Sequence, residues 1–253
     1  MREVDISDQL LPQHHEVMRC LGLLGRRIDT DLWCLVGGMM VLVAARAAGR
    51  ADSRAEQTKD GDVLVDVLAE PGILAKVTYA LRSLGYELPV EEDRGGDFAR
   101  CMFVSGRAQV DVLAPEDTPA DRLAVGSDLR SLAIPGGRRA LDGAELTTIY
   151  YAEDQADVVI RVPSLTGAIC VKAAAAVDQR TTSHPRHIQD VAFLLACIDD
   201  PVAAANELTD DDRALLSELR QQRLGPDDDI VWRYLDADDQ ARAEAAFDFL
   251  IGD

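Results

Sequence analysis

Three aspartates stand where extended-chain geometry would bring their carboxylates together. Asp60 and Asp62 open the segment Asp60-Gly61-Asp62-Val63-Leu64-Val65-Asp66-Val67, and Asp111 lies in Val110-Asp111-Val112-Leu113. Side chains at i and i+2 on a strand share a face, so Asp60 and Asp62 point the same way, and a neighbouring strand could add Asp111. Clustered carboxylates raise one another's pKa unless a cation sits among them. Oxygen-only donors suit hard divalent cations, and Mg2+ acting on phosphate substrates is the usual chemistry of such a set. Upstream, Trp33-Cys34-Leu35-Val36 runs into Gly37-Gly38, where backbone N–H groups at a helix start could approach a phosphate. A second polar group, Lys172, Arg180 and Asp190, lies far downstream in otherwise apolar surroundings.

Each of these has a plainer alternative. Lys59-Asp60-Gly61-Asp62 is also ordinary turn sequence. It is not a calcium loop of the EF-hand type, since Val65 stands where that loop needs its glycine. Gly37-Gly38 could be a tight strand-to-helix turn. No Gly-Lys-Ser/Thr follows to make a P-loop, and no third glycine follows at dinucleotide spacing. Lys172 could be a solvated helix-edge lysine or a point charge for polyphosphate. Asp190 could serve helix electrostatics alone. The pairs His14-His15 and His184/His187 have no cysteine or glutamate at zinc-like spacing, and no Gly-x-Ser-x-Gly elbow supports serine hydrolysis.

The elements that would position these residues follow from periodicity. An amphipathic helix is expected over Ser7–Leu24 with Ser7 as N-cap, then a short strand over Leu32–Val36. Gly37-Gly38 should open a helix that ends at Gly49. Asp60–Leu68 reads as a strand, and Pro71 as the first residue of a helix reaching Leu84. Phe98–Ser105 and Arg107–Leu113 flank Gly106 as a hairpin, and Thr147–Tyr151 and Val158–Val162 add strands. After Pro163 the character changes. Ser164 should cap a helix over Leu165–Val177, and Arg186–Ile198, Asp210–Gln222 and Asp238–Ile251 read as further helices. The fold class expected is α/β of the α+β kind: residues 1–163 strand-rich with helices, residues 164–253 nearly all helical.

Composition bounds the function. The 253 residues are enough for a sizeable core, and 47% hydrophobic with 28% charged residues describes a soluble globular chain. The net charge of −19 argues against nonspecific coating of nucleic acid. Between Asp199 and Asp253, 13 Asp and 3 Glu face 5 Arg, so −11 of the −19 sits in the last 55 residues. A locally basic cleft elsewhere is therefore compatible with the total. The five cysteines form no Cys-x-x-Cys pair and are expected to be buried and reduced. The apolar run Trp33–Ala45 is too short to span a membrane, and the polar, acidic Met1–Gln13 is no secretory signal. The expected location is the cytoplasm, with no membrane partner.

The ordered set Leu35-Val36-Gly37-Gly38-Met39-Met40, Thr58-Lys59-Asp60-Gly61-Asp62 and Gln109-Val110-Asp111-Val112-Leu113 resembles the signature of the DNA polymerase β-like nucleotidyltransferase superfamily. Arg161 through Lys172, then Asp178-Gln179-Arg180 and Ile188-Gln189-Asp190-Val191-Ala192-Phe193-Leu194-Leu195, are similar to its AbiEii-type branch, the nucleotidyltransferase toxins of type IV toxin–antitoxin systems. The resemblance covers roughly Trp33–Leu195. It implies a catalytic domain over 1–163 with a small mixed sheet flanked by helices, and a helical nucleotide- and acceptor-binding domain over 164–253. It implies that Asp60, Asp62 and Asp111 hold Mg2+ (two ions), with Asp111 also facing the acceptor hydroxyl. It further implies that Gly37, Gly38, Thr58, Lys172 and Arg180 contact the NTP and that Asp190 orients the site. The implied activity moves an NMP from an NTP to RNA, such as a tRNA 3′ end, in a toxin with a cognate antitoxin. A small cationic acceptor such as an aminoglycoside is the alternative. Met39, Gly61 and Glu56 depart from the family's usual residues, which motivates a third reading: a catalytically weakened relative that binds nucleotide or a partner.

Overall fold

Two short β-branched or apolar runs, Trp33–Val36 and Asp60–Val65, become strands because each is too short to bury a helix face and pairs along its whole length. The computed structural model describes residues 1–50, 60–89, 99–152, 157–180, 184–223, 232 and 235–252. In chain order these form β1 (Arg2–Asp5), α1 (Pro12–Gly25), β2 (Trp33–Val36), α2 (Gly37–Ala47), β3 (Asp60–Val65), α3 (Ile73–Ser83), β4 (Ala99–Arg100), β5 (Met102–Ser105) and β6 (Ala108–Pro115). There follow β7 (Ala124–Val125), β8 (Leu129–Arg130), β9 (Leu132–Ile134), α4 (Gly137–Asp142), β10 (Ala144–Tyr150) and β11 (Asp157–Pro163). Beyond these come α5 (Leu165–Val177), α6 (His184–Ala196), α7 (Pro201–Asn206), α8 (Asp210–Arg223) and α9 (Ala237–Ile251). The chain is an α+β protein with mixed sheets, and among the described residues everything after Pro163 that is regular is helix.

The main sheet runs β2-β3-β6-β5. β2 lies antiparallel to β3, β3 parallel to β6, and β5 antiparallel to β6 through a turn at Gly106 with φ +58°. β9 adds to the far end of β6 in parallel, Leu113 opposite Leu132. A second sheet, β1-β10-β11, places the amino-terminal strand parallel to β10. α1 covers one face of the main sheet, with Val17 against Gly61. α5 is apolar nearly all round and buried from Thr166 to Ala174, as a helix enclosed by other elements must be. Its Ser164 cap accepts from the Gly167 N–H, as expected.

Two helix starts differ from expectation. Ser7 does not cap α1: its N–H and hydroxyl both donate to Asp5 at the end of β1, and residues 7–9 form a single 3-10 turn. The helix begins instead at Pro12, whose fixed φ suits a first helical position, and the buried His14 ring accepts from the Leu11 N–H. Pro71 likewise precedes its helix. The Asp66 carboxylate accepts from the Leu68 and Ala69 N–H groups and holds a turn there, so α3 starts only at Ile73. β1, the short β7–β9 strands, α4 and α7 were not anticipated, because runs of two to six residues carry too little periodicity to read.

At the carboxyl ends of β3 and β6, Arg138 of α4 joins Asp66 at 3.0 Å and Asp117 at 2.9 Å. Burial pushes the Asp66 carboxyl up, but the Arg138 hydrogen bonds and the Ala69 and Leu68 N–H groups outweigh it and leave it below the ordinary carboxylate range. A carboxylate with a depressed folded pKa stabilises above the unfolded value and loses that contribution as pH falls through it. Arg138→Met should therefore cost about 1–2 kcal/mol at pH 7, from the loss of charge-assisted hydrogen bonds. The deficit should begin to shrink as pH falls below about 4, where Asp66 of the unfolded chain takes up its proton while the folded, Arg138-paired carboxylate still resists it. Urea unfolding of the two proteins at pH 7 and pH 3.5 measures it.

Candidate functional site

Strand register brings the carboxylates together. Asp62 on β3 pairs with Val36 on one side and with Asp111 on the other, and Asp111 in turn pairs with Met102 of β5. In a parallel pair, residues in register send their side chains to the same face, so Asp62 and Asp111 are neighbours on one surface of the sheet, with Asp60 two residues away on that surface. Asp60-Gly61-Asp62 is strand, not turn.

Both glycine features prove to be close approaches. Gly37 begins α2 directly after Val36, with φ +74°, and a Cβ there would lie 1.7 Å from Asp62 Oδ2. A side chain at this position would occupy the carboxylate's place, and the left-handed backbone independently favours glycine. Gly61 faces the other side of the sheet, where a Cβ would lie 2.4 Å from Val17 Cγ1. The residue between the two acids is small because α1 packs onto the strand there. Met39, the other departure in this region, is fully buried in the core.

The electrostatics are those of an unbalanced cluster. Burial, reinforced by the neighbouring Asp111 and then Asp60, pushes the Asp62 carboxyl up to about 7, while Lys172 and Arg186 pull the other way. Asp111 is pushed up to about 6 by burial and Asp60, against a hydrogen bond from Gln109 and the charge of Arg100. Among the described residues no three His, Cys, Asp or Glu side chains already converge as a metal cage. The donor chemistry nevertheless fits a hard divalent cation: oxygen-only, carboxylates in register, and neutral or charged according to whether a cation accompanies them.

These residues open onto a cleft of about 400 Å3. Its sheet side is Val36, Gly37, Asp62 and Asp111, with Arg100 of β4 beside them. β9 and its following turn supply an apolar wall of Leu132, Ala133, Ile134 and Pro135. The helical side carries Lys172 of α5, Arg180 just beyond that helix, and His187 of α6. Lys172 is not a solvated edge lysine. It is buried and pairs with the equally buried Asp190 of α6 at 2.7 Å, so the second polar group is a cross-helix ion pair at the cleft wall. Arg180 is exposed and held by Asp178 through contacts of 3.0 and 3.1 Å.

Asp62, Asp111, Gly37, Lys172 and Arg180 thus share one cleft; Asp60 shares the Asp62 face of β3 but is not among the lining residues, and Asp190 pairs with Lys172. Gly38 follows Gly37 as the second residue of α2. Thr58, expected to contact nucleotide, lies outside the described residues, as does Glu56. Sequence reasoning passed over Arg100, His187 and the apolar wall. His187 could have been found, since it stands three residues before Asp190 and so shares its helical face. Arg100 and Leu132–Pro135 carry no local signal; only the pairing of β9 with β6 brings the latter there.

The remaining candidates read as structure. The five cysteines are buried free thiols, and burial raises the thiols of Cys20, Cys34, Cys101 and Cys170. No helix among the described residues is long and apolar enough to cross a membrane. A scan against protein-family models finds no match, and a search of curated proteins finds none either.

Two substitutions probe this geometry. Gly61→Ala should cost about 1–3 kcal/mol through overpacking on Val17. Combined with Val17→Ala it should cost less than the two single changes added together, a coupling that a double-mutant cycle of urea unfolding reads directly. Lys172→Met should cost about 3–5 kcal/mol because it leaves Asp190 buried without its cation. Lys172→Met with Asp190→Leu should recover most of that stability, measured by thermal unfolding.

Proposed function

We propose that this protein is a Mg2+-dependent nucleotidyltransferase that moves an NMP from an NTP to an acceptor hydroxyl with release of pyrophosphate. The observation that carries the reading is the register of Asp62 against Asp111 across β3 and β6, at the mouth of a cleft flanked by a helix N-terminus that begins at Gly37. The sequence resemblance to AbiEii-type nucleotidyltransferases supports the same reading. In it, residues 1–163 form the catalytic unit and residues 164–253 the helical unit that completes the nucleotide and acceptor site.

Asp60, Asp62 and Asp111 hold the metal. Bound there, Mg2+ supplies Lewis-acid activation of the acceptor hydroxyl and neutralises charge on the departing pyrophosphate. Gly37 and Gly38 present backbone N–H groups at the positive end of α2 to the phosphates, and the absence of a side chain at Gly37 leaves the Asp62 carboxylate its place beside them. Lys172 and Arg180 approach from the helical side as cations. Asp190 fixes the Lys172 ammonium in place. Asp111, on the strand next to Asp62, accepts the proton of the attacking hydroxyl. The apolar wall at Leu132–Pro135 gives a nucleobase or ribose a surface to pack on.

For the acceptor, the resemblance supports an RNA 3′ end such as that of tRNA, and with it a toxin acting in the cytoplasm and held in check by an antitoxin. Arg100 beside Asp111 is consistent with a polyanionic acceptor despite the chain's net charge of −19.

Incubation with Mg2+ and each α-labelled NTP, with total tRNA in one set and aminoglycosides in another, tests the reading. Label on tRNA is the expected outcome. Asp62→Asn and Asp111→Asn should each lower it at least ~100-fold, about 2.7 kcal/mol of transition-state stabilisation. Label on the aminoglycoside instead would assign a small cationic acceptor. Loss of transfer with NTP binding kept in the unmodified protein would point to a nucleotide-binding relative without catalysis, and absence of both would sink the proposal.

A further inference from the structure

The helical wall of the cleft holds a third nitrogen-bearing side chain whose neighbours give it a purpose. His187 and Asp190 lie one turn apart on α6 and so share a face. Asp190 is buried against Lys172, and His187 is half-buried and lines the cleft beside Lys172 and Arg180. Both of those cations are already matched by carboxylates on their own wall: Lys172 by Asp190 at 2.7 Å, Arg180 by Asp178 at 3.0 Å. Their net contribution to holding a polyanion is correspondingly reduced, because each matched pair presents a dipole rather than a bare charge. A triphosphate entering here needs further N–H donors, and an imidazole provides one whether neutral or protonated. The opposite wall, at Gly37, offers backbone N–H groups. A phosphate chain lying between the two walls would therefore meet donors on both.

We propose that His187 is a phosphate-contacting residue of this cleft, its imidazole N–H donating to the pyrophosphate end of a bound NTP. The inference rests on the nucleotidyl-transfer reading and adds to it a residue that distinguishes the phosphates from the nucleoside. Inorganic pyrophosphate is the direct probe, titrated with Mg2+ into the full chain by calorimetry, with the free nucleosides as a phosphate-free control. His187→Phe, which keeps a ring and removes the donor, should weaken pyrophosphate binding about 10-fold, equivalent to about 1.4 kcal/mol. His187→Gln, which keeps an N–H donor, should weaken it less than about 3-fold, and neither change should alter nucleoside binding. In the unmodified protein, the His187 ring nitrogen resonances should move on addition of pyrophosphate, a readout that does not depend on either variant folding. Unchanged pyrophosphate affinity in His187→Phe, or unmoved resonances in a protein that binds pyrophosphate, overturns the role of His187 and leaves the transferase reading standing. An unmodified protein that binds neither pyrophosphate nor NTP overturns both.

Discussion

Asp62 is held from both sides along its strand and from above, and the rest of the cleft is arranged around that fact. Val36 and Asp111 are its partners in the sheet, and Gly37 closes over its carboxylate so tightly that even a methyl group would displace it. On the reverse face the chain is equally constrained, because Val17 of α1 packs into the space that a side chain at residue 61 would fill. The strand thus has no room for a side chain at residue 61 on one face or at Gly37 beside Asp62 on the other. Register keeps the carboxylate beside Asp111, and its pKa is driven upward by burial and by that neighbour. A half-buried acid beside another acid is an expense that an apolar pair would avoid, which is why such an arrangement marks a candidate site.

The helical side handles its buried polar groups differently. Lys172 on the otherwise apolar α5 would be costly alone, and Asp190 on α6 would be too; joined at 2.7 Å they can both be withdrawn from water. The pair also ties α5 to α6 beside the carboxylate strands. Lower on the same helix, the Ser164 and Thr166 hydroxyls meet the Glu207 carboxylate, while Arg139 of α4 reaches Asp212 of α8 at 3.0 Å. The Glu207 contacts fasten the start of α5 at the end away from the cleft, and the Arg139–Asp212 pair ties α4 to α8. On the wall that faces Asp62 and Asp111, the buried Lys172–Asp190 pair is therefore held by its surroundings and needs little ordering to meet a ligand.

Much of this was legible from residue types and order, and the failures have physical causes. The α5 boundaries and the Ser164 cap could be read because capping and an unbroken apolar run are local signals. The pairing of Asp62 with Asp111 could be anticipated only as an option, since which strands lie side by side is decided by contacts distant in sequence. Around Gly61 a turn stood as the alternative to the strand expected over Asp60–Leu68, because a glycine between aspartates has the same composition in both. What settles its conformation is Val17, forty-four residues earlier. His187 was passed over for a similar reason: its neighbours His184 and Arg186 drew attention to metal spacing, while its helical partner Asp190 was considered separately. β9 was invisible because three residues make no pattern, yet it builds the apolar wall.

The two ends of β3 make the clearest comparison. Asp66 follows the strand and Asp62 sits within it, four residues apart, and both are withdrawn from water enough for burial to raise their carboxyls. At Asp66 the fold supplies Arg138 and two backbone N–H groups, and the outcome is a carboxyl below its ordinary range. Asp62 has its cations, Lys172 and Arg186, at a distance that does not compensate burial and a neighbouring acid, and its carboxyl stays near 7. The same chain, over the same few residues, balances one acid and leaves the other in deficit of positive charge. In the transferase reading proposed above, that deficit is the place of the bound cation.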